Sequence, residues 1–131
     1  MHRKRILIAE DDIFIAMELE EIVAASVPSS IIITECSLAH IAATMQERWD
    51  FAILDVNLTN GQTFDIARIL RADGVPFVFL SGSLPEELPE DVRVVPFIAK
   101  PFEKSQIAHA LREAFGGLDS PETSRADRGL Q

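Results

Sequence analysis

Cysteine is almost missing from this chain: Cys36 stands alone. A single thiol excludes an internal disulfide framework and fits a reducing cytoplasm, where Cys36 is expected to pack as a small hydrophobe. Long apolar runs are absent as well. None approaches the ~20 residues needed to span a bilayer, so no membrane association is expected. Positive charge is scarce, with 12 Lys and Arg against 21 Asp and Glu and a net charge of −9. That balance argues against nucleic acid or an anionic membrane as a partner. The basic start, Met1-His2-Arg3-Lys4-Arg5, is followed too soon by Glu10, Asp11 and Asp12 to read as a secretory signal. No internal repeat or low-complexity segment is visible. The 131 residues suit one domain, and 47% hydrophobic with 25% charged residues is the profile of a soluble globular protein.

What the chain does have is alternation. Arg5 to Ala9 (RILIA), Ile31 to Cys36 (IIITEC), Phe51 to Asp55 (FAILD), Phe77 to Ser81 (FVFLS) and Arg93 to Ile98 (RVVPFI) read as five strands. Helical patterns lie between them. The first carries Ile15, Leu19, Ile22 and Ser26 on one side and Glu18, Glu20 and Glu21 on the other. The second starts at Ser37 as N-cap and runs to about Arg48. The third covers roughly Gln62 to Ala72 and stops at Asp73-Gly74. The last spans Lys104 to Phe115 and ends at Gly116-Gly117. Such order predicts an α/β fold: a five-stranded parallel sheet, flavodoxin-like, with strand order 2-1-3-4-5. A fourth helix is expected to be short or irregular, because Gly82 to Val92 (GSLPEELPEDV) carries two prolines and few apolar residues. It reads as an acidic loop with one short turn and few apolar contacts. The domain is expected over residues 3–116, with 117–131 a disordered polar tail.

The stretch DFAILDVNL, Asp50 to Leu58, poses the chemical question. An apolar run buried on both faces leads straight into Asp55, and an unpartnered buried carboxylate is costly. In the expected topology the first and third strands are neighbours, so Glu10, Asp11 and Asp12 meet Asp55 at one sheet edge. Acids so close stay ionised only around a cation. Few carboxylates, a backbone oxygen and room for water and phosphate suit Mg²⁺. The fourth strand brings Ser81 to the same edge, and the fifth is followed by Lys100-Pro101. The first βα turn has no glycine, which disfavours a dinucleotide-binding fold.

These residues, in this order and each at a strand end, resemble the receiver domain of bacterial two-component response regulators over roughly residues 3 to 116. The resemblance rests on Glu10-Asp11, Asp55, Ser81 and Lys100-Pro101, with Phe97 at the family's aromatic switch position. It implies that Asp55 takes a phosphoryl group from a histidine kinase or phosphotransfer protein, giving an acyl phosphate. It also implies that Asp11, Asp55 and the backbone carbonyl of Asn57 ligate Mg²⁺, with Glu10 holding a coordinated water. Lys100 and Ser81 would bind phosphoryl oxygens, and Gly82 would keep the approach open. Two features depart from the pattern. Thr59 stands where the family commonly has proline, and the fourth helix is eroded. FVFLSGS resembles a divergent receiver subgroup with Phe-Ala-Thr-Gly at this place and an irregular fourth helix.

The function expected is a stand-alone receiver in the cytoplasm, a phosphorylation-controlled signalling module rather than an enzyme, acting on a partner protein. One alternative is an interaction module independent of phosphorylation. Another is a Mg²⁺-dependent phosphohydrolase with an Asp nucleophile, although such enzymes place Asp-x-Asp after the first strand. The chain stops before a helix-turn-helix could fit, so no nucleic-acid partner is expected. Asp12 reads as a first-turn acid of the first helix, and Trp49 as filler of the loop before the third strand. His2, His40 and His109 have no metal spacing.

Overall fold

The computed structural model describes residues 3–82, 88–93 and 96–116; the expected tail at 117–131 lies outside them. The three greasiest runs become core strands: β1 (Arg5–Ala9), buried from Ile6 onward, and β3 (Phe51–Asp55) and β6 (Phe77–Ser81), buried along their whole length. Their apolar residues face both ways because successive side chains point to opposite sides of a strand. Ile6, Ile8, Ile53, Val78 and Leu80 meet one helical layer, while Leu7, Ala9, Ala52, Leu54 and Phe79 meet the other. Two flanking strands complete the sheet, β2 (Ile31–Glu35) and β7 (Phe97–Ala99), in the order β2-β1-β3-β6-β7 with every pairing parallel. This is the expected flavodoxin-like order. It arises because each right-handed crossover must pack its helix back onto a twisted sheet.

One layer holds α1 (Ile13–Ser26) and α4 (Lys104–Phe115). Helix α4 begins with a capping box between Glu103 and Gln106 and ends at Gly116, whose φ of 63° suits glycine. Helix α1 buries Ala16, Leu19, Ile22 and Val23. Its inward stripe is thus rotated from the expected one: Ile15 and Ser26 are only partly buried, and Ile13, Phe14 and Met17 face outward. The other layer holds α2 (Leu38–Ala43) and α3 (Phe64–Ala72). Ser37 caps α2 as expected, its hydroxyl accepting from the His40 N–H at 3.2 Å. The helix stops short of Arg48, however, tightening into a 3₁₀ turn over Thr44–Gln46. There the Thr44 carbonyl accepts from the indole N–H of buried Trp49 at 2.9 Å.

Three further expectations change. Gly61–Gln62 form a strand, β5, antiparallel to β4 (Asn57–Leu58), so α3 starts at Phe64 rather than Gln62. The last strand starts later than expected because Glu90–Val92 form a 3₁₀ turn closed by the Arg93 N–H to the Glu90 carbonyl. Residues 94 and 95 lie outside the described set. Cys36 is exposed, not packed, because it follows the last residue of an edge strand.

The eroded fourth helix is replaced, in its described part, by a well-anchored turn. Leu88 and Val92 are almost fully buried in the α2/α3-side core. Outside it, Arg68 donates to both oxygens of Asp91, at 2.8 and 3.1 Å, and Arg71 donates to the Asp91 carbonyl. The expectation of few apolar contacts therefore fails at this end of the segment. A pair of apolar residues four apart suffices to pin one turn.

Candidate functional site

The carboxyl ends of β1, β3, β6 and β7 gather the residues singled out above, because parallel strands all end at one edge. Ala9 pairs with Leu54 and Asp55 with Leu80, so Glu10 and Asp55 emerge side by side. Ser81 pairs with Ala99, and the Lys100 N–H donates to the Ser81 carbonyl at 2.9 Å. Glu10, Asp55 and Ser81 are 2%, 5% and 1% exposed. Two buried acids at this depth need compensation.

Part of that compensation is Lys100. Its ammonium donates to Asp55 Oδ2 at 3.0 Å and lies 3.4 Å from Glu10 Oε1. Burial works against the Lys100 charge, but the Asp55 hydrogen bond and the two negative charges outweigh it and raise its pKa. Burial dominates at Glu10, helped by repulsion from Asp55. It pushes the Glu10 carboxyl up to about 7, against the opposing Asp12 N–H bond and Lys100 charge. One cation is thus too little for two acids.

Asp11 stands at the rim, more open to solvent than its neighbours. Carboxylate oxygens of Glu10, Asp11 and Asp55 lie within 4.8 Å of one another. Glu10 Oε1 is buried and accepts no hydrogen bond. A hard divalent cation or its coordinated water would satisfy that oxygen and the charge excess together, so the donor set fits Mg²⁺. Asn57 begins β4 two residues past Asp55, and its N–H donates to Asp55 Oδ1 at 3.3 Å. Asp12 is the N-cap of α1 rather than a first-turn acid, since its Oδ1 accepts from the N–H groups of Phe14 and Ile15. It does not belong to the cluster.

The remaining expected residues sit around this core. Gly82 is exposed, and a side-chain carbon added there would meet no atom within 4 Å. Phe97 is half-buried against the cluster that contains Leu88 and Val92. His40 and His109 are exposed beside Glu35 and Glu113, neither belongs to the Glu10, Asp11 and Asp55 group, and His2 lies outside the described residues. Trp49 precedes the opposite end of β3, about 13 Å along the strand from Asp55 at ~3.3 Å per residue.

Two threonines gain roles here: Thr63, which no sequence signal marked, and Thr59, noted in the sequence only as a departure from proline. The Thr63 hydroxyl donates to the Asp55 carbonyl at 2.8 Å and its N–H to the Val56 carbonyl at 3.0 Å, from a fully buried position. It pins the backbone on which Asp55 sits. Thr59 donates twice to Asp11 Oδ2, from its N–H at 2.6 Å and its hydroxyl at 2.5 Å. The departure from proline at position 59 was the only available signal, and it pointed to no partner.

No protein-family model and no curated protein sequence matches the chain. Solved structures do. The solution structure of SdrG from Sphingomonas melonis Fr1 is 33% identical, covering 88% of this chain and 99% of that one, with a TM-score of 0.72. The PhyR response regulator REC domain of Erythrobacter litoralis is 27% identical over 92% of this chain and 96% of its own, with a TM-score of 0.73. A CheY-like response regulator receiver domain protein from Methanospirillum hungatei JF-1 is 17% identical and shares the fold, covering 88% and 95% of the two chains with a TM-score of 0.74.

Proposed function

The chain belongs to the receiver-domain family of response regulators, and from that premise we propose that Asp55 accepts a phosphoryl group from a phosphohistidine donor, a histidine kinase or phosphotransfer protein. The observation that carries this reading is the position of Asp55. It is the carboxylate that touches Lys100 at hydrogen-bond distance while sharing an edge with Ser81 and the acid pair of β1.

Each side chain has a definable task. An oxygen of Asp55 attacks phosphorus; the new O–P bond forms as the P–N bond breaks, and its electron pair stays on the imidazole nitrogen. Such transfers pass through a loose transition state, so the site mainly orients groups and balances charge. Lys100 lies where it can follow a phosphoryl oxygen without leaving Asp55. Ser81 offers a hydroxyl to another oxygen, and open space beside Gly82 admits the donor. Asp11, Asp55 and the Asn57 carbonyl would hold Mg²⁺, with Glu10 on its water. When bound, the ion would neutralise charge on the transferred group. Once phosphorylated, Asp55 carries extra charge and acceptor oxygens; drawing Ser81 toward them would free volume for Phe97 and so inform a partner protein.

The test is intact mass after incubation with a small-molecule phosphodonor and Mg²⁺. Wild type should gain one phosphoryl group and Asp55→Asn none. An equal adduct on both proteins removes Asp55 from the role. Sustained turnover of free phosphoesters by wild type would favour a phosphohydrolase instead.

A further inference from the structure

Resting on the reading of Glu10, Asp11 and Asp55 as a Mg²⁺ site, we propose that Thr59 is a positioning residue for that ion: its two donors fix the Asp11 carboxylate before the cation arrives. A carboxylate has two oxygens and about four acceptor directions. The Thr59 N–H and hydroxyl both bind Asp11 Oδ2, which saturates that oxygen and leaves Oδ1 as the one with capacity for a metal. Mg²⁺ is commonly held through one or two carboxylates, each giving a single oxygen, so the division of labour is the one the ion needs. An acid at the rim, with solvent around it, would otherwise sample several rotamers and lose that freedom on binding.

The position of Thr59 is itself held. It sits with Asn60 at the tip of the β4–β5 hairpin, between Leu58 and Gly61. Asn60 Oδ1 accepts from the Leu38 N–H at 3.4 Å, tying the tip to the start of α2. Gly61 has a φ of 144°, and a side-chain carbon there would come within 2.7 Å of Leu38 Cδ1. That φ is one that favours glycine, and any side chain there would also have to push Leu38 aside. At the base, the Gln62 side chain donates to Asn57 Oδ1 at 3.3 Å, and the next residue, Thr63, grips the Asp55 carbonyl. One six-residue hairpin therefore carries the Asn57 carbonyl, starts two residues past Asp55, and reaches across to hold Asp11. It works as a jig that sets three ligands at a fixed spacing.

Calorimetric titration with Mg²⁺ on the full chain tests this, with Asp11→Ala as the reference for loss of a direct ligand. Partners that orient metal ligands are worth about ten- to a hundredfold in affinity. For an exposed threonine the low end applies, so Thr59→Val should bind Mg²⁺ about tenfold more weakly. Thr59→Ser, which keeps the hydroxyl, should restore wild-type affinity. Thr59→Pro removes both donors and should bind more weakly than Thr59→Val. Because Thr59 is exposed, all three should unfold like wild type in chelator, which separates positioning from folding. Wild-type or tighter binding by Thr59→Val overturns the proposal, as does failure of Thr59→Ser to rescue. Normal binding by Asp11→Ala overturns the metal reading itself and this proposal with it.

Discussion

Lys100 Nζ and Asp55 Oδ2 lie 3.0 Å apart, joining residues 45 positions apart in sequence through a half-buried ion pair. The same ammonium lies close to Glu10, so a single lysine holds two buried acids at the end of the sheet. The pair explains how Asp55 stays at the end of a core strand: its charge is matched from β7, which only the parallel order brings alongside.

Replacing Lys100 with Met keeps the volume and removes the charge. In chelator the protein should lose about 1–3 kcal/mol of stability, the range for leaving a buried polar partner unsatisfied. Urea unfolding of the two proteins measures it. A Lys100→Met protein as stable as wild type would mean that solvent, not Lys100, supports Asp55.

The metal-free protein should also carry a pH signature from Glu10. Its folded carboxyl titrates at about 7 against an ordinary 4.5. The folded state therefore holds the proton more tightly than the unfolded one. The resulting stability is complete below about 4.5 and is lost as pH rises through 7. The full swing is on the order of 3 kcal/mol. Denaturation midpoints in chelator, taken from pH 5 to 8, should converge between wild type and Glu10→Gln at the acid end and separate at the alkaline end. Parallel curves would show that Glu10 is not buried as described.

The adjacent acids Asp11 and Asp12 should separate cleanly. Asp12→Ala loses the N-cap of α1 and should cost about 0.5–2 kcal/mol while leaving Mg²⁺ affinity intact. Asp11→Ala should do the reverse. Calorimetry is the suitable readout, since Trp49 is at the far end of β3. A loss of Mg²⁺ binding in Asp12→Ala would move the ligand by one residue.

The turn over Glu90–Val92 should depend on Arg68. Its hydrogen bonds hold the Asp91 carboxyl below the usual carboxylate range. Arg68→Ala should speed hydrogen exchange at Val92 and Arg93, whose N–H groups close the turn onto Pro89 and Glu90, with little change in global unfolding because the ion pair is exposed. Unchanged exchange would place the anchor wholly in Leu88 and Val92.

Local chemistry was enough to mark β1, β3, β6 and α4 and to place Glu10, Asp55 and Ser81 at strand ends. Continuous apolar runs, a capping residue and a terminal glycine each act within a few residues. From those ends and the crossover rule, the sheet order and the meeting of acids with Lys100 followed. Tertiary structure decided what short segments and distant partners do. A two-residue strand such as β5 is too short to show a period, so Gln62 reads as the start of α3. Whether Leu88 and Val92 are buried, which stripe of α1 turns inward, and whether Cys36 packs depend on what lies opposite. Thr59 and Asp11 are 48 residues apart, and nothing near either one names the other. A hydrogen bond needs its two groups within about 3 Å, and at that separation only the folded path of the chain decides which groups meet.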